Sequence, residues 1–229
     1  MQIRVFESAT ALAEALAVRL VDALSGGPRC AVMLAGGRTP LDAYGRLAAH
    51  SPQAWARVFL SDERMAPPDS PDSNAFHVVP PLAAAGLPRD LFFSVRTDWP
   101  IEAAADAYDR LLAGWVTEGV RFPLGLLGLG ADGHTASLFS LDEVEQARVG
   151  GRWAVAVRRP SPPDRVSVAP RLLERIERLL FVVTGAEKRA VVARWLEQPA
   201  SLPAGLAVAG HPSVELWLDV SAAGPGMPR

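Results

Sequence analysis

Residues 124–139 read LGLLGLGADGHTASLF, and this stretch determines both the fold class and the place of the candidate site. Its first four residues form an apolar run that is typical of a buried strand. Three glycines follow, so the backbone can turn sharply and expose its amides. Asp132 and His134 come after this turn, and Thr135 is expected to cap a helix that begins one residue later. Ligands of open α/β sheets bind beyond the carboxyl ends of the strands, so a carboxylate and an imidazole stand where such folds carry out chemistry.

Short apolar strands alternate with amphipathic helices along the rest of the chain. Strands are predicted over residues 30–34, 58–60, 91–95, 124–127, 153–157, 165–168, 180–183 and 214–218. Helices are predicted over residues 8–25, 40–50, from 73 onward, 101–115, 170–178 and from 188 to about 197. This alternation is typical of βαβ units. We expect one domain over residues 1–229, a three-layer α/β/α, Rossmann-like fold with a mainly parallel sheet and helices on both faces.

The composition excludes several classes of protein. A net charge of -2 over 229 residues provides no basic field, so nucleic acid is not expected as a partner. No apolar run approaches the roughly 18 residues of a membrane span, and the first residues show no signal-peptide pattern. The one cysteine, Cys30, excludes a disulfide within the chain. We expect a cytoplasmic protein without membrane partners, either a monomer or a homodimer.

Residues 34–40 read LAGGRTP and have the features of an anion cradle. The amides of Gly36, Gly37 and Arg38, the hydroxyl of Thr39 and a helix N-terminus meet where a strand ends. Thr39 is predicted as the N-cap of that helix, with Pro40 at its first position. An ordinary strand-to-helix turn is the alternative, and the Gly-Lys-Ser/Thr ending of a Walker loop is missing.

Further charged candidates follow other strands. Asp62 and Arg64 are candidate substrate-binding residues. They lie in a run that reads SDER, which fits either a solvated turn or an arginine held by carboxylates for a phosphate or carbonyl oxygen. Arg165 is a second basic candidate. Lys188 is predicted in the first turn of a helix, where it opposes the helix dipole, and a bound anion would remove that conflict. A solvated surface lysine is the alternative.

The glycine loop also matches the G-x-G-x-x-G pattern of dinucleotide sites. That pattern needs an acidic residue about 20 residues later, whereas residues 158 and 159 are arginines, which would suit only a 2′-phosphate. A dinucleotide would also leave His134 unexplained, so we favour a catalytic loop. The four histidines show no spacing typical of zinc, so a metal is not expected.

Together these segments resemble the 6-phosphogluconolactonase family, within the glucosamine-6-phosphate isomerase/deaminase-like superfamily. The resemblance rests on residues 34–40, 61–64, 73–74, 128–139, 162–167 and 184–188, and the run DGHTASLF is its most specific part. It implies hydrolysis of 6-phospho-D-glucono-1,5-lactone to 6-phosphogluconate, a step of the oxidative pentose phosphate pathway, with no metal or organic cofactor. By matching position His134 would be the base, with Asp132 supporting its ring. If His134 is not the base, Asp132 or Glu63 becomes the candidate. The glycine turn, Arg64, Arg165 and Lys188 would surround the anionic and polar groups of the substrate.

The chain departs from the family pattern at two places, and two other functions stay open. Ser140 stands where the family often has proline, and residues 123–125 replace an aspartate-containing start of the strand. A glucosamine-6-phosphate deaminase resembles the same loop but carries a glutamate five residues after the histidine, where this chain has Phe139. A non-catalytic sugar-phosphate-binding protein usually carries a DNA-binding segment ahead of the domain. A first helix near residue 8 is expected to leave no room for one.

Overall fold

The computed structural model describes residues 1–50, 52 and 55–227. The strands are β1 (Gln2–Phe6), β2 (Ala31–Leu34), β3 (Arg57–Leu60), β4 (Asp62–Arg64), β5 (Phe92–Phe93), β6 (Gly125–Leu127), β7 (Ala154–Val157), β8 (Arg165–Val168), β9 (Leu179–Val183) and β10 (Val214–Asp219). The helices are α1 (Ala9–Leu24), α2 (Arg38–Arg46), α3 (Asn74–Ala84), α4 (Ile101–Thr117), α5 (Leu141–Val149), α6 (Pro170–Leu173), α7 (Arg189–Glu197), α8 (Pro203–Ala207) and α9 (Val220–Ala223). Short 3₁₀ turns connect several of them.

Seven of these strands form a parallel sheet in the order β1-β10-β9-β6-β2-β3-β5. Side chains alternate across it: Ala31 and Met33 of β2 join one apolar core, whereas Val32 and Leu34 join the other. Helix α1 packs in the second core through its leucines, and α4 packs in the first. A sheet that is buried on both faces carries apolar residues at successive positions. The prediction of a three-layer, mainly parallel α/β fold is therefore confirmed.

A second, antiparallel sheet of three strands, in the order β4-β8-β7, adjoins the first. Ser61 connects the two sheets, because its amide donates to Leu34 O (2.8 Å) and its carbonyl accepts from Val168 N (2.8 Å). The charged residues 62–64, which fitted a solvated turn in the sequence, form the edge strand of this small sheet. The pairing of β4 with β8 places Arg64 opposite Arg165.

Three predicted helix boundaries were wrong. No helix begins at Ala136, which has a left-handed φ of 47°. The helix begins at Leu141, where Ser140 and Glu143 cap each other's backbone amides. Helix α2 begins at Arg38 with Gly37 as N-cap, so Thr39 lies inside its first turn. Pro40 is tolerated there because the first amides of a helix have no intrahelical partner. The predicted helix over residues 170–178 is reduced to the four residues of α6.

Candidate active site

A cleft of about 250 Å³ lies at the carboxyl ends of β9, β6, β2 and β3, which are neighbours in the sheet. Because these strands run parallel, the loops that follow them meet at one edge. The cleft is lined by Ala35, Gly36, Gly37, Ser61, Asp62, Arg64, Asn74, Gly128, Leu129, Gly130, His134, Ala136 and Lys188. Six residues that the sequence singled out therefore come together: Gly36, Gly37, Asp62, Arg64, His134 and Lys188.

A larger cavity of about 500 Å³ lies beside this cleft, and both are lined by Gly37, Gly128, Leu129 and Lys188. Arg38 and Thr39 line the larger cavity. Two predicted site residues, Asp132 and Arg165, line neither of these cavities. Asp132 instead contacts His134, and Arg165 lies opposite Arg64.

Asp132 and His134 form a close hydrogen-bonded pair. Asp132 Oδ1 lies 2.5 Å from Nδ1 of the imidazole and 3.2 Å from the backbone nitrogen of His134. Partial burial opposes ionisation of the carboxyl, but these hydrogen bonds outweigh it and lower the pKa of Asp132 below its ordinary value. An ionised carboxylate can only accept a hydrogen bond, so this contact assigns the proton to Nδ1 and leaves Nε2 as the basic nitrogen. The side chain of His134 is 30% exposed.

Two positions of the loop, 130 and 133, have to be glycine for the loop to take this shape. A Cβ on Gly130 would lie 2.1 Å from Nδ1 of His134 and 2.4 Å from Asp132 Oδ1. Gly133 has a φ of +91°, and a Cβ there would come within 2.5 Å of Leu202. The loop is closed by hydrogen bonds from Gly130 N to His134 O (2.8 Å) and from the Thr135 hydroxyl to Gly128 O (2.9 Å). Thr135 thus shapes the loop and does not cap a helix.

The N-terminus of α2 faces the cavities with backbone donors. The first amides of a helix lack intrahelical acceptors and carry a partial positive charge, which suits an anion. Lys188 lies across from this turn, in the 3₁₀ segment after β9, and its Nζ donates to Leu129 O at 2.6 Å. The Thr39 hydroxyl lies 2.8 Å from the Thr184 hydroxyl and ties α2 to the end of β9. A lysine and helix amides therefore border the same space.

Arg64 and Arg165 lie side by side on β4 and β8. The Arg64 guanidinium donates to Asp72 O (2.9 Å), and that of Arg165 donates to the carbonyls of Pro163 and Asp164. Burial lowers the pKa of Arg165, and the positive charge of Arg64 lowers it further. Two cations held together beside a cleft favour an anion that would reduce their repulsion. Arg64 lines that cleft, whereas Arg165 lies opposite Arg64 on the neighbouring strand.

The carboxylate of Asp62 is held by two hydroxyl groups. Ser61 donates to Oδ1 (2.9 Å) and Ser137 donates to Oδ2 (2.7 Å). A carboxylate repels a phosphate and accepts hydrogen bonds from sugar hydroxyls. The prediction that Asp62 binds substrate therefore fits a sugar hydroxyl better than the phosphate.

Comparison with known proteins shows which family the chain belongs to. The family model for glucosamine-6-phosphate isomerases/6-phosphogluconolactonase matches residues 5–217. The chain belongs to this family. The family resemblance predicted from the sequence is thereby confirmed.

Several relatives carry the name 6-phosphogluconolactonase. The Treponema pallidum protein is 34% identical over 89% of this chain and 88% of its own length. The human protein is 32% identical over 95% of this chain and 89% of its own. The structure of 6-phosphogluconolactonase from Trypanosoma brucei superposes with a TM-score of 0.81, at 29% identity and 97% coverage of both chains. A monomeric glucosamine-6-phosphate deaminase, at 22% identity and a TM-score of 0.76 over 97% of this chain and 99% of its own, shows the same fold.

Glu63 has a structural role that the sequence did not reveal. Its side chain is buried, and it accepts hydrogen bonds from the amides of Arg64 (2.7 Å), Asn74 (2.6 Å) and Ala75 (2.8 Å) and from the Ser73 hydroxyl (3.2 Å). Burial raises the pKa of Glu63 although these hydrogen bonds oppose the rise. Because three of these four hydrogen bonds come from the start of α3, the carboxylate anchors that helix to β4 and is poorly placed to act as a base.

Asn74 was also missed as a residue of the cleft. Its amide nitrogen donates to Asp62 O (2.9 Å), and a Cβ on Gly36 would lie 2.3 Å from its Cγ. The Ser73-Asn74 pair was visible in the sequence as a helix start, and Ser73 does cap α3. Its approach to the glycine turn depends on contacts between separate segments, so no local signal could reveal it.

The described residues form neither a cluster of potential metal ligands nor a helix suited to span a membrane. Within residues 1–50, 52 and 55–227, no group of three or more histidine, cysteine, aspartate or glutamate side chains is arranged to hold a metal ion. Over the same residues, none of the helices has both the length and the apolar character that a membrane span requires.

Proposed function

We propose that this protein hydrolyses 6-phospho-D-glucono-1,5-lactone to 6-phospho-D-gluconate in the oxidative pentose phosphate pathway, in the cytoplasm. The observation that carries the proposal is the Asp132–His134 pair, which presents a basic imidazole nitrogen at a cleft bordered by Lys188 and the N-terminus of α2. A general base and an anion site within one cleft suit a phosphorylated substrate that water attacks. The names of relatives that match most of the chain support the same reaction.

In this mechanism Nε2 of His134 removes a proton from water as the water oxygen attacks the lactone carbonyl. The C1 oxygen gains negative charge, which Arg64 or backbone amides of the glycine turns stabilise. The tetrahedral species then collapses, the bond from C1 to the ring oxygen breaks, and the protonated imidazole returns its proton to that oxygen. Asp132 holds Nδ1 and stabilises the imidazolium between the two transfers. The reaction consumes one water and leaves the enzyme unchanged.

The phosphate of the substrate would bind where the two cavities meet. Lys188 lines both cavities, and the amides of Gly36, Gly37, Arg38 and Thr39 start the helix beside them. Helix N-termini bind phosphate through such amides, and a lysine adds a charge-assisted hydrogen bond. Arg64 and Arg165 add positive charge from the other side of the cleft. The lactone ring would then extend toward His134, with Asp62 accepting from a ring hydroxyl.

Acid release from freshly generated 6-phosphogluconolactone, corrected for spontaneous hydrolysis, tests the proposal. The protein should raise the rate far above the spontaneous one at catalytic concentration. A rate equal to the spontaneous one, from folded protein, would refute the proposed reaction.

Deamination of glucosamine 6-phosphate is the second candidate, because the family includes both enzymes. In the resemblance described above, the deaminase places a glutamate at the position of Phe139 and uses it in ring opening. Here that position carries an aromatic ring packed on His134, with ring centroids 4.5 Å apart. We therefore expect no ammonia release from glucosamine 6-phosphate. A non-catalytic binding protein would bind both sugar phosphates and turn over neither.

A further inference from the structure

The imidazole of His134 is held on its face as well as on its edge. Asp132 binds the Nδ1 edge, and the ring of Phe139 packs against the imidazole at a centroid distance of 4.5 Å and an interplanar angle of 41°. The same phenyl ring is covered by Arg159, whose guanidinium carbon lies 3.6 Å from its centroid. Phe139 thus contacts both His134 and Arg159, and we call these three residues the imidazole stack. Neither Phe139 nor Arg159 lines the cleft.

One carboxylate, that of Glu143, contacts both Phe139 and Arg159. Glu143 Oε2 accepts the amides of Phe139 (2.6 Å) and Ser140 (3.1 Å), and its Oε1 lies 3.9 Å from Nη1 of Arg159. The backbone of Arg159 is fixed separately, because its amide donates to Asp164 Oδ1 at 2.8 Å. The loop after β6 and the loop after β7 are therefore tied together behind the imidazole.

We propose that Phe139 and Arg159 are positioning residues, which keep the plane of His134 oriented so that Nδ1 stays on Asp132 and Nε2 points to the cleft. A cation over an aromatic face is attracted by the ring quadrupole, so Arg159 holds the phenyl ring against the imidazole. The phenyl ring in turn restricts rotation of the imidazole about its side-chain bonds. This inference rests on the proposed function, since it concerns the orientation of the proposed base.

A competing role for Arg159 is that of a phosphate ligand, because its charge is close enough to Arg165 to lower the pKa of that residue. The two roles differ in kinetics. A phosphate contact is equally strong in ground state and transition state, so its loss raises KM. Misplacement of a base affects the chemical step and lowers kcat.

The test compares Arg159→Met and Phe139→Leu with the control Arg158→Met. Methionine keeps an apolar stem of similar length, and leucine keeps apolar bulk without an aromatic face. Arg158 is the adjacent arginine, and it pairs at the surface with Glu102 and Asp164 at 3.1 Å each. A displacement of about 1 Å can cost up to 10²-fold in rate. We expect kcat to fall about tenfold to a hundredfold in Phe139→Leu and by several-fold in Arg159→Met, with KM within about twofold. The control should keep both constants.

Loss of kcat at constant KM in Arg159→Met, with an unchanged control, supports the proposal even where Phe139→Leu fails to fold. Wild-type kcat in Arg159→Met would overturn it, as would a rise in KM at constant kcat, which would make Arg159 a phosphate ligand.

A measurement without turnover separates this inference from the proposed function. Nitrogen-15 NMR of the His134 ring reports which nitrogen carries the proton. Wild-type protein should show one tautomer, protonated at Nδ1, and Arg159→Met should also populate the other. If the wild-type protein does not hydrolyse the lactone, the proposed function fails and this spectrum alone decides the positioning role. A single unchanged tautomer in Arg159→Met would then refute it.

Discussion

Replacement of His134 by alanine removes the proposed base with little disturbance of the loop that carries it. The backbone bonds of residue 134 do not depend on the side chain: its carbonyl accepts from Gly130 N at 2.8 Å, and its amide donates to Asp132 Oδ1 at 3.2 Å. The imidazole is 30% exposed, so its loss leaves a site that water can fill. We therefore expect a folded protein whose glycine loop keeps its shape.

The expected loss is large in kcat and small in KM. A positioned general base contributes about 10²- to 10⁴-fold in rate. At about 1.36 kcal/mol for each factor of ten, this corresponds to about 2.7–5.5 kcal/mol of transition-state stabilisation. The proposed phosphate donors, Lys188 and the first amides of α2, do not touch the imidazole, so KM should stay within about twofold.

The assay is steady-state acid release from 6-phosphogluconolactone, with spontaneous hydrolysis subtracted and folding checked by circular dichroism. His50→Ala is a matched control, because His50 is exposed and its ring has no hydrogen bond, ion pair or aromatic contact within the described residues. The control should keep wild-type kcat. If His134→Ala also keeps near-normal kcat, His134 is not the base, and the role passes to Asp132.

The other predictions concern the phosphate, the buried carboxylate and metal. Lys188→Ala removes a charge-assisted contact worth roughly 1.5–3 kcal/mol, so KM should rise by about tenfold or more in the acid-release assay. If kcat and KM are both unchanged, Lys188 is only a solvated surface lysine. Unphosphorylated gluconolactone should have a far lower kcat/KM than its phosphate ester, and equal values would remove the phosphate site. Burial raises the pKa of Glu63, so the folded state binds more protons than the unfolded state. The free energy of unfolding of wild type relative to Glu63→Gln should therefore fall as pH rises from about 4 toward 7, as measured by urea unfolding. A free-energy difference that instead rises with pH would contradict the burial argument. EDTA should leave the rate of lactone hydrolysis unchanged. A loss of activity in EDTA that one added metal ion restores would overturn the mechanism.

The layers of the fold could be predicted from the sequence, because local periodicity reports which sides of an element are buried. Residues 31–34 are apolar at every position, and β2 is buried on both faces in the parallel sheet. The glycine loop could be predicted for a similar reason. The spacing of glycines around Asp132 and His134 is a local property, and a Cβ at Gly130 would collide with both side chains.

The partners of these residues could not be predicted, since they come from distant segments. The Ser137 hydroxyl reaches Asp62 across 75 residues of sequence. Glu63 stands among charged neighbours and looked like part of a solvated turn, yet it is buried because the start of α3 lies against it. The imidazole stack likewise needs the loop after β7 to bring Arg159 onto Phe139.

The sequence around Thr135 allows two local structures, and only the tertiary structure decides between them. A threonine after a glycine loop can cap a helix or donate to a nearby carbonyl, and both satisfy its hydroxyl equally well. The fold places Gly128 O 2.9 Å from the Thr135 hydroxyl, so the threonine donates to this carbonyl. The next helix, α5, begins only at Leu141, where Ser140 and Glu143 cap it. By itself the sequence determined the alternation of buried strands with helices and the loop that carries the imidazole. The tertiary structure decided which groups orient that imidazole and which charges face it. Such pairings depend on distances between segments that only the packed sheet brings together.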